Sequence, residues 1–422
     1  MSTFIKAEWL SLGKKWKDIP PMVRRVGNFA FSMPDHIKHQ ILPTPSISIN
    51  AMLEFTLPLP ASTIQTATTD ISSFFSNKFP NEGMMLRLRR LPIPPPTVTR
   101  KLVEAGRQAW LDGFTSVTYA HIPGEVITHF PLWIVSFWND TLNIRVKVRK
   151  PWIDAKDWVI QQLQQKRSAE RHSFAKETST LLSLLPWDGA KQGLSDNKPI
   201  HVLWRYLGPN WLASSDENDM LKILHRRIAN YPDLIQNLRV EGVELTQKLV
   251  TAFTNREMND YKGQDCRWIR TLGEDIINNS QTILTIGHLG VHKGKEHWIA
   301  IVVEGKAGII RYGDSFGAPI PPTLLATFQW WLSHHDQRIF QVADLPIAMQ
   351  TDGFSCGMFA PNALNHFVDP QLFPLAKQSD AIAGRLRMFN EVAQGILERV
   401  GVQHCVSQHV THAECCPDCE RR

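Results

Sequence analysis

The stretch HWIAIVVEGKAGIIRYGDS, residues 297–315, decides the fold of the C-terminal half of this chain. Its apolar runs at 298–303 and 307–312 are separated by small and polar residues around Gly305 and Lys306. Two short apolar runs on either side of such a centre are typical of an antiparallel β-hairpin. The stretch therefore predicts a hairpin whose midpoint lies near Gly305 and Lys306.

Polar residues stand at the two open ends of this hairpin. If it folds symmetrically, His297 lies directly opposite Asp314. Residues so opposed have Cβ atoms about 4.5–5.5 Å apart, which lets a carboxylate accept a hydrogen bond from an imidazole and hold its tautomer. The spacing predicts His297 as a base and Asp314 as the group that orients it.

A second stretch, QTDGFSCG at 350–357, leads into an apolar run that predicts a buried helix. Cys356 then stands at the helix start, where the dipole and the free backbone N–H groups favour an anion and lower a thiol pKa. The Cys356 amide and the Gln350 side-chain amide are candidate donors to an oxyanion. Gly353 and Gly357 allow a tight turn and a close approach to substrate.

Each of these features also has an ordinary structural explanation. A buried cysteine is usually an inert small hydrophobe, and Asp-Ser at a strand end is common in turns. In this order and at this spacing, however, His297, Asp314, Gln350 and Cys356 together indicate a cysteine protease with papain-like chemistry. That chemistry needs no cofactor.

The same residues carry a resemblance to a known family, the ubiquitin-like-protein-specific proteases of the SUMO-deconjugating type, which are related to the adenoviral protease. Three segments resemble the family signature: HW at 297–298, GDS at 313–315 and QTDGFSCG at 350–357. The resemblance covers about residues 196–399 and implies the catalytic roles given above to His297, Asp314, Cys356 and Gln350. It also implies hydrolysis of peptide or isopeptide bonds after the Gly-Gly terminus of a modifier such as SUMO.

The segment NWLASSDENDML, residues 210–221, resembles the WLxD segment that opens the family domain. The resemblance implies that Trp211 and Trp298 enclose the Gly-Gly tail, since a slot between two indoles admits only residues without side chains. Two ordinary core tryptophans are the alternative. Ser214 replaces the acidic residue of WLxD, and Pro361 falls within the nucleophile helix. These departures leave a catalytically weakened, modifier-binding module as an alternative function.

The chain of 422 residues is long enough for more than one domain, and 43% of its residues are hydrophobic. No apolar stretch approaches membrane-spanning length and no secretory signal pattern opens the chain, so no membrane partner is expected. Four of the six cysteines lie at or after Cys405, unlike a disulfide framework. These features predict an intracellular protein of the nucleus or cytoplasm.

Charge is distributed unevenly along the chain. Residues 1–194 hold 24 Lys and Arg against 15 Asp and Glu, a net charge of +9, whereas residues 195–422 hold 22 against 25, a net charge of −3. Basic surfaces attract anionic partners, although most are ordinary solvated surfaces. The bias leaves a further alternative, a mobile-element-associated protein whose basic N-terminal half contacts nucleic acid.

Helices on both sides of a run of consecutive strands predict an α+β fold, with a central mixed sheet flanked by helices and a separate mixed N-terminal domain. The expected regions are a Pro-punctuated segment, a basic accessory region, the protease-type domain and a Cys/His-rich tail, at 1–97, 98–194, 195–402 and 403–422. The accessory region predicts a helix over 98–113, strands over 132–138 and 143–148, and a long exposed helix over 158–183.

In the protease-type domain, the patterns predict four helices and four strands. The helices are expected over 215–228, 243–255, 322–333 and 379–400. The strands are expected over 282–286, 298–303, 307–312 and 340–344.

The C-terminal tail is rich in cysteine and histidine. Cys416 and Cys419 have the CxxC spacing of zinc ligands, and His412 and Cys405 are further candidates. An unstructured tail is the alternative, because few apolar residues there support a packed module without metal. A structural zinc ion is therefore a candidate for the tail only.

Overall fold

A computed structural model describes residues 15–61, 70–81, 88–119, 128–165, 168–194, 198–258, 260–292 and 295–409. The chain divides into two compact units, a first unit of Met1–Ile153 and a second unit of Asp154–Arg422. Among the described residues, no helix has the length and apolar character needed to cross a membrane.

The unit boundary differs from the boundary predicted near residue 195. Residues 154–194 belong to the second unit because they pack on its C-terminal helix. The Thr178 hydroxyl donates to Asn390 Oδ1 at 2.7 Å, and Asn390 Nδ2 donates to the Phe174 carbonyl at 3.1 Å. Turn-forming residues near 186–197 suggested a domain linker, but these long-range contacts place the segment inside the domain.

Among its described residues, the first unit combines α-helices with a small antiparallel sheet of order β1-β2-β3. The helices are α1 Pro21–Phe31, α2 Asp35–Ile41, α3 Ile49–Glu54, α4 Pro96–Leu111 and α5 Ile134–Asn143. The strands are β1 Phe75–Ser76, β2 Ser116–Thr118 and β3 His129–Pro131. The predicted helix over 98–113 corresponds to α4.

The two strands predicted over 132–138 and 143–148 are wrong, because this segment is helical. It forms α5 and then a π-helical turn, Ile144–Arg149. Ile144 and Val148, four residues apart, are buried on one side, whereas Val146 is 62% exposed. Alternating apolar and basic residues suggested a strand, but the i, i+4 spacing of the buried pair fits a helix equally well.

The second unit contains the remaining helices, listed in chain order with the one that leads into it: α6 Lys150–Gln164, α7 Ala169–Leu181, α8 Ser214–Ala229, α9 Pro232–Asn237, α10 Glu244–Thr254, α11 Arg267–Asn278, α12 Pro322–Ser333, α13 Cys356–Val368 and α14 Ala381–His409. The single helix predicted over 158–183 is two helices, because the Ser168 side chain caps α7 by accepting the Arg171 backbone N–H at 3.2 Å. The helices predicted over 215–228, 243–255 and 322–333 agree with α8, α10 and α12 to within one residue at each end. The helix predicted over 379–400 is α14, which continues to His409, whereas α9 and α11 were not predicted.

A five-stranded mixed sheet lies at the centre of the second unit, in the order β4-β5-β6-β7-β8. The inner pairs β5–β6 and β6–β7 are antiparallel, and both edge strands pair in parallel with their neighbours. The strands are β4 Leu238–Val240, β5 Thr282–His292, β6 Lys295–Glu304, β7 Ile309–Gly313 and β8 Gln341–Asp344. The predicted α+β architecture with a central mixed sheet is confirmed.

Helices cover both faces of this sheet. On β6, Ile299, Ile301 and Val303 pack in one apolar cluster with α10, α11 and α12. Trp298 and its alternate neighbours pack in a second cluster with α8 and α13. Because successive strand residues point to opposite faces, the side chains of His297 and Trp298 lie on opposite faces of the sheet.

The β6–β7 hairpin forms, but its register differs from the symmetric one predicted. Ala300 pairs with Gly313, which centres the hairpin one residue later than Gly305 and Lys306 imply. Asp314 therefore follows the last paired residue and does not lie directly opposite His297. Continuing this register would set Asp314 two residues away from the position opposite His297. Because side chains two residues apart lie on the same face of a strand, His297 and Asp314 remain on one face of the sheet. The two side chains still meet.

Candidate active site

Cys356 is the first residue of α13, as predicted. The turn before it is fixed by Asp352, whose Oδ1 accepts the backbone N–H groups of Phe354 at 2.9 Å and Ser355 at 2.8 Å. The Ser355 hydroxyl donates to Asp352 Oδ2 at 2.7 Å. A short side chain thus holds the backbone of the nucleophile turn in one conformation.

The Cys356 thiol is buried, with 1% of the residue exposed. Burial raises the pKa of the Cys356 thiol to about 11. Hydrogen bonds from the backbone N–H groups of Trp298, Gly357 and Cys356 itself act in the opposite direction, and the nearby Glu217 carboxyl adds to the rise. The resting thiol is therefore protonated at neutral pH, and a thiolate forms only when a base takes the proton.

His297 and Asp314 are hydrogen-bonded to each other, as the sequence predicted. His297 Nε2 donates to Asp314 Oδ1 at 2.8 Å, and both side chains are buried. Oδ1 also accepts the Phe316 backbone N–H at 2.7 Å, and the Tyr312 hydroxyl donates to Oδ2 at 3.3 Å. These bonds hold the imidazole tautomer in which Nε2 carries the proton.

Burial raises the pKa of the Asp314 carboxyl, but other contacts outweigh burial. The hydrogen bonds from His297 and Phe316 and the attraction to His297 together leave its pKa below the usual range. Asp314 is thus an ionised acceptor at neutral pH. An ionised carboxylate at this position stabilises the imidazolium that forms when His297 takes a proton.

Cys356 lies beside β6 at Trp298, the residue that follows His297. The backbone N–H that bonds the Cys356 sulfur belongs to Trp298, the residue immediately after His297. Cys356 and Trp298 also share one apolar cluster. The structure therefore brings together Cys356, His297 and Asp314, which are spread over sixty residues of sequence.

Gln350 lies beside the same turn, and its side chain is held in one orientation. The Ser315 hydroxyl donates to Gln350 Oε1 at 2.6 Å, and Gln350 Nε2 donates to the Asp352 carbonyl at 3.0 Å. The Gln350 backbone N–H donates to the Ser315 carbonyl at 2.8 Å. Ser315 and Gln350 are both buried. The amide hydrogens of Gln350 are thereby directed toward the nucleophile turn.

Trp211 and Trp298 lie together, but they touch each other. Their ring centroids are 5.5 Å apart with an interplanar angle of 27°, and Trp298 Nε1 donates to the Leu212 carbonyl at 2.8 Å. A polypeptide between two rings needs planes about 7 Å apart, twice a van der Waals contact of about 3.5 Å. The predicted slot for a Gly-Gly tail is closed in this conformation, and the rings must separate to admit a chain.

Two residues near this pair were not identified from the sequence. His288 is the cross-strand partner of Trp298 on β5, and their rings lie 4.7 Å apart. Arg385 of α14 is fully buried and donates to the backbone carbonyls of Arg205, Tyr206 and Asn210. His288 could have been found from the pairing of β5 with β6, but no local sequence pattern distinguishes Arg385.

The two predicted glycines differ in their surroundings. Gly357 is buried, and a Cβ there would collide with Glu217 Oε1 and lie 3.1 Å from Leu212 Cβ. Glycine at position 357 thus allows α13 to pack closely against Leu212 and Glu217. A close approach of substrate to Gly357 stays a prediction. Gly353 is half-buried in the turn and has no positive φ.

Pro361 does not interrupt the nucleophile helix, because α13 runs continuously from Cys356 to Val368. The Pro361 carbonyl accepts a hydrogen bond from Asn365 Nδ2 at 2.8 Å. The proline lies in the second turn, so the first turn and Cys356 keep their helical position. The distortion that Pro361 suggested is absent at the nucleophile.

The tail candidates for zinc cannot be placed in a site. Cys405 lies in α14 with no description of its side chain, and His412, Cys416 and Cys419 fall outside the described residues. Within the described part of the chain, no group of three or more His, Cys, Asp or Glu is arranged to hold a metal. Tail zinc stays a prediction.

Two basic residues of the π-helical turn in the first unit, Arg145 and Arg149, have structural partners. Arg149 donates to the carbonyls of Leu53 at 2.6 Å and Phe55 at 3.0 Å, and Arg145 donates to the Leu57 carbonyl at 3.3 Å. These bonds satisfy carbonyl groups at and after the C-terminal end of α3. These contacts of Arg145 and Arg149 give no support to a nucleic-acid partner.

Comparisons with known proteins give a partial likeness. No family model and no curated protein matches the chain. The SUMO protease Ulp1 with its catalytic cysteine oxidised to a sulfinic acid is 15% identical with a TM-score of 0.38, across 56% of this chain and 99% of its own. The Ulp1-like SUMO protease catalytic domain of Chaetomium thermophilum is 16% identical with a TM-score of 0.40, across 56% and 92%.

A third structure, the Xanthomonas campestris effector XopD bound to ubiquitin, is 19% identical with a TM-score of 0.29, across 42% of this chain and 90% of its own. The chain has a partial structural resemblance to these solved structures, SUMO proteases of the Ulp1 type among them. Likeness at these identities concerns architecture, so the chemistry rests on the geometry of the site.

Proposed function

We propose that the second unit is a cysteine peptidase that hydrolyses peptide or isopeptide bonds after the Gly-Gly terminus of a ubiquitin-like modifier, SUMO or similar. The observation that carries this proposal is the buried His297–Asp314 hydrogen bond beside Cys356 at a helix N-terminus. Covalent acyl transfer requires a nucleophile, a base and a group that orients the base, and Cys356, His297 and Asp314 can supply these three groups.

In the first half-reaction, Nδ1 of His297 takes the proton of the Cys356 thiol, and the thiolate attacks the glycine carbonyl carbon. The Cys356 backbone N–H and the Gln350 amide stabilise the resulting oxyanion. The imidazolium then gives its proton to the leaving nitrogen as the C–N bond breaks, which leaves a thioester on Cys356.

In the second half-reaction, His297 takes a proton from water, and the hydroxide attacks the thioester carbonyl. The C–S bond breaks, the thiolate is protonated by the imidazolium, and the modifier leaves with a free carboxyl group. Asp314 keeps the imidazole oriented through both halves. The raised pKa of the Cys356 thiol makes this base essential, because little thiolate exists without it.

The Gly-Gly preference rests on the Trp211–Trp298 pair. Because the two rings are in contact, the proposal requires that the modifier tail separate them and occupy the space between them. A side chain on either terminal residue would have to fit between two indoles, so glycine is the residue favoured there. Solved neighbours include a Ulp1 protease domain in complex with SMT3, the yeast ortholog of SUMO, and XopD bound to ubiquitin.

A panel of modifiers carrying a C-terminal propargylamide tests the proposal on the full-length protein. SUMO, ubiquitin and other Gly-Gly modifiers are incubated with the native chain and with Cys356→Ala, and adducts are detected by mass spectrometry. We expect an adduct with at least one modifier on the native chain and none on the variant. Binding without an adduct would favour the weakened binding module. The absence of both binding and adduct would refute the proposal.

We also propose an intracellular location, in the nucleus or cytoplasm, because a protease of this class acts on conjugates inside cells. Both described free cysteines, Cys266 and Cys356, are buried. Imaging of the tagged full-length chain tests the location directly, and accumulation of the chain outside the cell would contradict it.

A further inference from the structure

Two exposed hydrophobic side chains stand next to the otherwise buried catalytic pair. Phe316 is 36% exposed, and its ring lies 4.6 Å from the His297 imidazole at an interplanar angle of 32°. Met349, immediately before Gln350, is 52% exposed. Both side chains are thus in contact with solvent at a site whose reactive groups are almost inaccessible.

These two side chains belong to adjoining segments. The Gln350 backbone N–H bonds the Ser315 carbonyl at 2.8 Å, which sets 349–350 alongside 315–316. The Met349 methyl group reaches Gly317, where a Cβ would come within 2.7 Å of it. Gly317 has a φ of +71° and lets the turn after Asp314 close under this methyl group. Phe316 and Met349 therefore form one apolar surface, here called the Phe316–Met349 surface.

The chemistry of His297 determines which part of a substrate this surface contacts. An imidazolium that protonates the leaving nitrogen must face the group attached to that nitrogen. The indole of Trp298 points to the opposite face of β6, so the acyl side of the substrate belongs with Trp211 and Trp298. The Phe316–Met349 surface lies on the His297 side, with the leaving group.

The two kinds of leaving group differ in their polarity next to the scissile bond. In an isopeptide, the nitrogen carries the four methylene groups of a lysine side chain, which has lost its charge. In an α-linked extension, the nitrogen carries a backbone whose polar amide begins one carbon further on. An aromatic ring and a thioether contact methylene groups favourably and offer no hydrogen bond to an amide.

We propose that the Phe316–Met349 surface binds the aliphatic stem of the conjugated lysine and makes the enzyme prefer isopeptide-linked conjugates to α-linked precursors. This inference rests on the proposed function. It assigns leaving-group recognition to two residues outside the catalytic set, while chemistry stays with Cys356, His297 and Asp314.

The test compares three substrates made from one modifier, SUMO, or ubiquitin if only ubiquitin labels Cys356. The first is the propargylamide probe, which has no leaving-group residues. The second joins the modifier to a lysine side chain of a short peptide, and the third joins it to the α-amino group of the same peptide. Rates are measured for the native chain, Met349→Ala, Met349→Leu and Phe316→Leu.

For Met349→Ala, we expect kcat/KM on the isopeptide substrate to fall about tenfold, the effect of losing contact with one or two methylene groups. The fall on the α-linked substrate should be under about threefold by the same reasoning, and Met349→Leu should restore most of the isopeptide rate. Met258→Ala is the matched control, since Met258 is an 80% exposed methionine of the same unit. It should leave all three rates unchanged.

The possible failures are distinguishable. If the probe labels Cys356 and Met349→Ala lowers both peptide rates equally, or lowers neither, the inference is overturned and the proposed function survives. If Met349→Ala lowers probe labelling as strongly as isopeptide cleavage, the residue acts on the acyl side or on the fold, which also overturns it. If no modifier labels Cys356, the proposed function fails and the inference fails with it.

Discussion

The second unit holds two buried clusters of ionisable side chains that differ in their surroundings. The catalytic pair, His297 and Asp314, adjoins the backbone N–H that bonds the Cys356 sulfur. In the other cluster, Lys191 is fully buried with Asp216, at 3.6 Å, and Asp219. Burial and charge pairing are thus shared by both clusters. The difference is that the His297–Asp314 pair lies next to the residue whose backbone N–H bonds the Cys356 sulfur, whereas the Lys191 cluster adjoins no such sulfur atom among the contacts given above.

The Lys191 cluster is self-contained and joins distant parts of the chain. Asp216 accepts the Ala213 backbone N–H at 2.9 Å and the Arg205 guanidinium at 3.3 Å, so it also caps α8. Each acid therefore has a cation nearby, and the cluster fixes the segment around Lys191 against the start of α8. Its role is structural, whereas we propose that the pair at His297 transfers protons.

The largest effect is expected from removing the catalytic base. His297→Ala should lower kcat/KM by about 10³-fold, within the range known for general acid–base groups, while the free energy of unfolding changes far less. The rate of Cys356 alkylation by iodoacetamide at pH 7, followed by peptide mapping, should fall as well. If alkylation and turnover were both unchanged, His297 would not be the base.

Disrupting the second cluster should have the opposite pattern. Lys191→Met leaves Asp219 without its cation and Asp216 with Arg205 alone, and should lower the free energy of unfolding by about 3–5 kcal/mol, measured by urea denaturation. Lys222→Met, at an exposed lysine of α8, is the matched control and should change it by less than about 0.5 kcal/mol. A stable Lys191→Met protein would show that the cluster contributes little.

A smaller effect on catalysis is expected at Ser315, a positioning residue for Gln350. Ser315→Ala removes the 2.6 Å hydrogen bond to Gln350 Oε1 and should lower kcat about tenfold with little change in KM, about the value of one hydrogen bond. In a Gln350→Ala background the same change should have almost no further effect. Additive losses would mean that Ser315 does not act through Gln350.

The smallest effect is expected from Glu217, a buried acid beside both clusters. Burial raises its pKa well above the usual 4.5, the charges of Asp216 and Asp219 add to this, and Arg385 opposes it. The folded state thus keeps a proton that the unfolded chain releases above about pH 4.5, so stability falls as pH rises from there.

Glu217→Gln abolishes that proton uptake. Relative to the native chain, the variant should gain on the order of 1 kcal/mol of stability between pH 4 and pH 8, measured by thermal unfolding at both pH values. Glu257→Gln, at an exposed glutamate, should show no such pH-dependent difference. If Glu217→Gln and the native chain kept the same difference at both pH values, Glu217 would be ionised in the folded state.

The local patterns in the second unit were reliable guides. The helix predicted over 322–333 is α12 residue for residue, and the start of α13 at Cys356 followed from its apolar run. The helical segment after residue 132 was predicted as strands, because short alternating runs fit either structure until packing selects one. The hairpin register was displaced for a similar reason, since the position of a turn depends on where the chain folds back over the core.

The sequence alone missed β4, α9 and α11, but it predicted the order of the other strands and of most helices in the second unit, Cys356 at a helix start, and the His297–Asp314 pair. These features depend on periodicity and on spacing within short segments, which local sequence carries. Long-range packing decided the contacts of Ser315 with Gln350, of Phe316 with His297, and of Trp211 with Trp298. Those residues are distant along the chain or have no distinguishing local pattern, so only the folded sheet brings them together.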